Sequence, residues 1–339
     1  MTSAITGQSA ALFVHDIADM PAPQTSKSHQ AFESLIQHAI QHPDAVPMGI
    51  VWPCEPHALE GALDAARQTI IEPVLIGDKQ AIMRVAEQSG LDITGVALID
   101  VPTPEEAAAQ AVALVKAGKV HALMKGSLHT DILMHAVVAA ENGLRTARRI
   151  SHVFLLAMPT YDNIVFVTDA AINIFPDLSV KRDIVQNAID LHHGLGLGTP
   201  RVALLSAVET VNPKIPGTID AACLCKMADR GQIQGGVLDG PLAMDNAVNQ
   251  EAAQIKGINS PVAGRAQILV TPDLEAGNML AKNMIFLSQA ESAGIVLGAS
   301  VPILLTSRAD SVQARLASAA VGAVYARYVQ GIGSGAEAQ

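Results

Sequence analysis

Ser307-Arg308-Ala309-Asp310, inside the run LTSRADS (Leu305 to Ser311), sets a hydroxyl, a guanidinium and a carboxylate within four residues, directly after an apolar stretch. Ala299 to Leu305 reads as a strand, and Ser307 then stands where a hydroxyl caps a helix beginning near Asp310. Backbone N–H groups at a helix start, a hydroxyl and a fixed positive charge together suit a phosphate or a developing oxyanion. A serine three residues ahead of an acid is also a capping box, which by itself accounts for Ser307 and Asp310. It does not account for Arg308, because a cation in a first helical turn opposes the helix dipole unless an anion is bound beside it.

Three further stretches put polar groups between an apolar run and a helix. In Lys125-Gly126-Ser127-Leu128-His129-Thr130-Asp131 the glycine lets backbone approach an anion closely, and Lys125, Ser127 and Thr130 can donate to phosphate oxygens. The competing reading is a routine turn with Ser127 or Thr130 as the helix cap. Asp239-Gly240-Pro241-Leu242-Ala243-Met244-Asp245-Asn246 follows a strand read as ending at Leu238, and ligands of α/β sheets gather at the carboxyl ends of strands. Here too Asp239 can fix a turn and Asp245 or Asn246 cap a helix. In PDLEAGN (Pro272 to Asn278), Asp273, Glu275 and Asn278 surround a third turn; carboxylates so placed can in principle ligate magnesium, and Asp169 and Asn173 in VTDAAINI share that ambiguity.

Other signals are weaker. Gly194-Leu-Gly-Leu-Gly198 lies after a helix and before a strand, the reverse of a dinucleotide fingerprint. His192-His193 lacks partner ligands at helical spacing, and no G-x-S-x-G elbow surrounds any serine. Cys54, Cys223 and Cys225 are an odd number in a chain too large to depend on disulfides; we read them as small buried residues of a reducing compartment.

Taken in order, MKGSLHTD, FVTDAAINIFPD, LDGPLAMDNA, PDLEAGN and LTSRADS make the chain resemble the phosphate acetyl/butyryl transferase family over most of its length, with TSRADS closer to the butyryltransferase-like branch. The resemblance implies transfer of a short acyl group between coenzyme A and inorganic phosphate, with coenzyme A as a substrate, no permanently bound cofactor and no metal. It implies that Arg308 holds the phosphate end of an acyl phosphate and that Ser307 stabilises charge at the carbonyl. It also implies cleft-lining roles for Lys125, Gly126, Ser127, His129, Thr130, Asp239, Gly240, Asp245, Asn246 and Asn278. Two departures stand out: the acetyltransferase branch usually carries a later aspartate as the thiol's base, where this chain has Ala314, and an arginine soon after the lysine turn, where Met134-His135 follows. Asp310 is the substitute candidate for the base.

The elements that must position these groups are legible in composition and period. At 339 residues with 50% apolar and 3% aromatic side chains, the chain fits about two α/β domains whose strands are covered by helices. A net charge of −10 argues against an extended nucleic-acid surface, and the absence of a membrane-length apolar run points to a cytoplasmic protein. Strands are expected at Met48 to Trp52, Pro73 to Ile76, Gly95 to Val101 and His121 to Met124. Helices are expected at His57 to Ile71, Lys79 to Ser89, Pro104 to Ala117 and Asp131 to Glu141.

After the basic cluster Arg145-Thr-Ala-Arg-Arg149, the runs His152 to Met158 and Ile164 to Thr168 are joined by a short turn and must be antiparallel. Further strands are expected at Arg201 to Ser206, Ile233 to Leu238, Ala266 to Val270 and Gly294 to Leu297.

The family's architecture, similar to isocitrate and isopropylmalate dehydrogenases, implies two α/β domains with an active-site cleft between them. Residues 30–148 with 304–339 would form the first, 149–303 a second with a mixed sheet and the oligomer interface, and 1–29 an arm. The expected assembly is a homodimer or higher homo-oligomer. Two alternatives share the fold: a non-catalytic module sensing acyl-CoA or acyl phosphate, and a dehydrogenase.

Overall fold

The computed structural model describes residues 27–306 and 312–331, with side chains from Phe32 onward. Its strands are β1 (Val46–Val51), β2 (Ile71–Gly77), β3 (Ala97–Asp100), β4 (Ala122–Lys125), β5 (Ser151–Ala157), β6 (Val165–Thr168), β7 (Arg201–Leu205), β8 (Val237–Leu242), β9 (Ile268–Val270), β10 (Glu291–Leu297) and β11 (Ile303–Leu304). Its helices are α1 (Lys27–Ile40), α2 (Pro56–Arg67), α3 (Lys79–Ser89), α4 (Pro104–Lys116), α5 (Thr130–Val138), α6 (Leu178–Gly194), α7 (Pro216–Asp229), α8 (Met244–Val248), α9 (Gln250–Ile255), α10 (Leu274–Phe286) and α11 (Val312–Gln330). No described helix is long and apolar enough to cross a membrane.

Local signals set many boundaries. Thr103 Oγ1 accepts from Glu106 N at 3.2 Å with Pro104 at the first helical position, which caps the start of α4. Asp78 caps α3 through Ala81 N at 2.8 Å, and Gly90 at φ 65° ends it.

Elsewhere the structure corrects the sequence reading. The strand expected from Ala299 shrinks to Ile303–Leu304, with Ala299 making only an isolated bridge to Arg145. The strand expected to end at Leu238 instead begins at Val237 and runs to Leu242, because Gly240 lets β8 lie against β7: a Cβ there would come within 2.6 Å of Leu204 Cβ.

All eleven described strands join one sheet, ordered β3-β2-β1-β4-β11-β10-β5-β6-β9-β7-β8. The first five in that order are mutually parallel, and so are the last four. β10 is antiparallel to β11 and β5, and the expected hairpin pairs β5 antiparallel with β6. The two parallel blocks therefore run in opposite directions, with β10 and β5 as the seam.

One face of the sheet carries a continuous core, from Phe32 and Leu59 through Ile295 and Val153 to Ile184 and Leu224, under α1, α2, α6, α7 and α11. On the other face the core is split. Leu123, Ile303 and Val296 pack with α4 and α5, while Leu156, Val167 and Leu269 pack with α8, α9 and α10. Between these clusters, on the seam, lie Gly294 and His152.

Candidate active site

Ser307, Arg308 and Asp310 lie outside the described residues; their two flanks are described. β11 runs parallel beside β4, and the Oγ1 of Thr306, the residue before Ser307, donates to Lys125 O at 2.7 Å. That hydroxyl in turn accepts from Arg315 Nη1 at 2.9 Å, on α11 just past the undescribed segment. Thr306 and Arg315 are each only 1% exposed, and Gly61 of α2 makes room for the arginine stem: a Cβ there would sit 2.9 Å from Arg315 Cβ. A buried guanidinium thus anchors the junction where β4, β11 and α11 meet.

The turn after β4 is fastened to the end of β1. Gly126 N donates to Val51 O at 2.8 Å, and Ser127 donates to Trp52 O through both N (2.9 Å) and Oγ (2.8 Å). A Cβ on Gly126 would collide with Trp52 O and lie 2.6 Å from Val51 O, so only glycine fits. Lys125 is buried and its Nζ donates to Gly126 O (3.1 Å) and Leu128 O (3.3 Å), which sets the amine beneath the turn.

The Ser127 hydroxyl donates to Trp52 O, Thr130 is the first residue of α5, and His129 holds the cap position without a side-chain cap bond. The N-cap residue thus leaves the first-turn N–H groups of α5 to other partners, and a helix start of this kind can take an anion.

The other predicted residues fall elsewhere. Asn278 Nδ2 donates to Ala170 O at 3.1 Å, beside a turn organised by Asp169. The Asp169 carboxylate accepts from Ala171 N (3.0 Å), Ile172 N (3.0 Å), Asn173 N (3.2 Å) and Asn173 Nδ2 (2.6 Å). Asp273 caps α10 through Ala276 N at 2.9 Å, and is a turn residue in that sense.

Asp239 accepts from Gly240 N at 2.9 Å within β8. Asp245 is exposed and pairs with Lys256 at 3.2 Å; backbone bonding at Asn246 first, then Lys256, holds its carboxyl below the usual range. Asn246 is fully buried, with Nδ2 at 3.4 Å from Glu209 Oε2. β8 is seven strand spacings from β4, roughly 34 Å along the sheet at about 4.8 Å each, so one chain does not bring these residues beside the lysine turn.

His152 was not singled out by spacing, since one histidine in an apolar strand has no partner pattern. By strand alternation it faces as Phe154 does, onto the seam where the two cores part, while Lys125 faces as Leu123 does on that same side. It is 1% exposed, its Nδ1 has no partner among the described residues, and its ring meets Phe154 edge-on at 4.5 Å. Gly294 makes space for it, since a Cβ there would lie 3.1 Å from His152 Nε2 and 3.3 Å from Leu305 O. Burial pushes its pKa down to about 4 against the opposing pull of Asp169, so the imidazole is neutral.

His192 and His193 bond Gly198 O (2.9 Å) and Gly235 O (2.6 Å) near the end of α6. Burial pushes the thiols of Cys54 up to about 11 and Cys225 up to about 12, which leaves both protonated and unreactive at neutral pH.

Residues 103–323 match the family model described as phosphate acetyl/butaryl transferase. The chain is 61% identical over 295 residues to a phosphate acetyltransferase of Rhizobium meliloti, covering 87% of this chain and 93% of that one. Its fold is similar to a branched-chain phosphotransacylase from Enterococcus faecalis V583, at TM-score 0.72 and 29% identity over 83% of this chain and 99% of that one. At the level of fold alone it is also similar to a 4-hydroxythreonine-4-phosphate dehydrogenase from Burkholderia phymatum, at TM-score 0.51 and 13% identity, covering 83% and 98% of the two chains.

Proposed function

The chain belongs to the phosphate acetyl/butyryl transferase family, and from that premise we propose that it is a phosphate acyltransferase working in a cleft over the β11-β10-β5 seam. The observation that carries the reading is the Thr306–Lys125 bond. It ties Thr306, the residue before Ser307, to a glycine turn with a buried lysine beneath it and, beside it, the start of α5, whose N-cap residue His129 makes no side-chain cap bond. The break in the core at Gly294 and His152 supports a cleft between a block built on β1–β4 with β11 and a block built on β5–β10. In that reading residues 30–148 with 304–339 and residues 149–303 are the two domains.

The reaction is direct. The thiol sulfur of coenzyme A attacks the acyl-phosphate carbonyl, the C–S bond forms, the C–O bond to phosphate breaks and inorganic phosphate leaves; the reverse runs from acyl-CoA and phosphate. Arg308 and the first-turn N–H groups of α5 hold the phosphate, and Ser307 donates to the carbonyl oxygen as charge develops. Asp310 accepts the thiol proton, a role required because a thiol of reference pKa about 8.5 is only partly ionised at neutral pH. Neutral His152 lies buried beneath the cleft floor and adds polarity there without charge. Asn278, with the Asp169 turn, lines the opposite wall.

We take acetyl as the first acyl group to test, because the 61% identical relative is named phosphate acetyltransferase, although the TSRADS form leaned toward butyryl. A cytoplasmic homo-oligomer built through the second block completes the proposal.

The test is phosphate-dependent release of free thiol from acetyl-, propionyl- and butyryl-CoA, with Arg308→Ala in parallel. Turnover by the wild type and a loss of about 10²- to 10³-fold in the variant are expected, the magnitude typical of removing one oxyanion contact. Folded wild-type protein that turns over none of the three would overturn the assignment.

A further inference from the structure

Transfer of an acyl group from a thioester to phosphate moves a proton as well. Inorganic phosphate loses it as a phosphate oxygen bonds the carbonyl carbon, and the departing sulfur gains one. Asp310 serves the sulfur, and the phosphate proton needs a base of its own.

Among the described residues, His152 is placed for that task. Its Nε2 stands against the space over Gly294, where a Cβ would come within 3.1 Å of Nε2, 3.3 Å of Leu305 O and 3.6 Å of Phe154 Cε1. Any other residue at 294 would set its side chain across that nitrogen, so glycine keeps side-chain atoms out of the approach. An edge-on contact with Phe154 at 4.5 Å fixes the ring, and Thr168 Oγ1 holds the backbone by donating to His152 O at 2.8 Å.

The same space lies in line with the lysine turn. Leu305 N donates to Gly294 O at 3.3 Å, and the register of β11 with β4 carries the row on from Leu305 to Lys125. Gly294 and Lys125 are thus two strand spacings apart, roughly 10 Å at about 4.8 Å each. A phosphate held at the start of α5, together with the carbonyl carbon it bonds, fits that interval with its reacting oxygen toward His152.

Asp169 supplies the other half of a base. It follows Thr168, which pairs with Val153, and so falls beside His152 on the side of β5 away from β10. Its carboxylate is held by the backbone N–H groups of Ala171, Ile172 and Asn173 and by Asn173 Nδ2. Burial is the larger influence on the ring and keeps it neutral, while the charge of Asp169 favours the protonated form. With Nε2 turned toward β10, that field favours the ring proton on Nδ1 and leaves the lone pair on Nε2. A carboxylate orients a histidine base in this way.

We propose that His152, oriented by Asp169, is the general base for phosphate in this site. The inference rests on the acyltransferase reading for the identity of the substrate. When phosphate attacks acyl-CoA, Nε2 takes the proton of the attacking oxygen as the C–O bond forms and the C–S bond breaks. Asp310 gives the sulfur its proton, and the imidazolium then returns one to that carboxylate through water, which resets both groups. In the opposite direction the imidazolium protonates the departing phosphate oxygen.

The test is phosphate-dependent thiol release by wild type, His152→Gln and His152→Ala, the last with and without added imidazole, with folding checked by circular dichroism. In both variants kcat should fall about 10²- to 10⁴-fold while KM for acyl-CoA stays within about threefold. Imidazole should restore about tenfold or more to His152→Ala and nothing to His152→Gln. Nitrogen-15 NMR of histidine-labelled wild type, which needs neither variant to fold, should show His152 neutral at neutral pH with its proton on Nδ1. A folded His152→Gln protein with kcat within about threefold of wild type would overturn the proposal, and so would a loss that imidazole leaves untouched or a proton found on Nε2. Any of these beside an active wild type sinks this inference alone. A folded wild type without turnover refutes the acyltransferase reading and this base with it.

Discussion

Thr306→Val is the substitution that loads most of the site's framework onto one atom. Valine keeps the shape of the buried side chain and deletes only the hydroxyl that donates to Lys125 O at 2.7 Å and accepts from Arg315 Nη1 at 2.9 Å. The first bond is worth about 1 kcal/mol; the second, made by a charged donor, about 1.5–3 kcal/mol. At a position 1% exposed, water cannot replace either, so the expected loss is about 2–4 kcal/mol, a large share of a typical domain's stability.

Urea unfolding followed by circular dichroism reads that loss as a lower midpoint, with Thr306→Ser as the control that keeps the oxygen. Turnover should fall as well, because Ser307 is the next residue in the chain. A Thr306→Val protein within about 0.5 kcal/mol of wild type, or a serine variant equally destabilised, would show that the hydroxyl does not tie β4, β11 and α11 together.

Gly126→Ala should cost about 1–3 kcal/mol and depress turnover, because the added methyl meets backbone oxygens of Val51 and Trp52 rather than a side chain that can swing away; thermal melting and the acyl-transfer assay check it, and an unchanged melting temperature refutes the packing argument. His152 predicts a pH dependence. Its folded pKa of about 4 lies below the unfolded value of 6.5, so the unfolded chain binds the extra proton between those values, and stability is lost as pH falls through that window. The slope is about 1.4 kcal/mol per pH unit, and His152→Gln should lack it. Urea midpoints of both proteins from pH 7 to pH 4 read the difference; parallel curves would show that the imidazole is not buried neutral.

The sequence by itself determined the α/β class, the hairpin of β5 and β6, the boundaries of α3 and the capped start of α4, and the motifs that mark the family. These depend on period, turn residues and caps, which act over a few neighbouring residues and are therefore written locally. Ser307, Arg308 and the lysine turn could likewise be nominated from residue type and spacing.

What only the tertiary structure decided is which strands lie side by side and which face each residue turns to. The β11 strand is two residues long and carries almost no periodic signal, yet its place beside β4 links Thr306 to Lys125 across 181 positions of chain. Nothing in the local sequence marks Arg315 as buried; it is α2 that offers Gly61 to receive it. His152 becomes distinctive only where two cores part around it, and DGPLAMDN sits on the far edge strand β8 and the helix α8 after it because sheet order is set by long-range pairing. Such placements follow from packing energies summed over segments far apart in sequence, which no local pattern encodes.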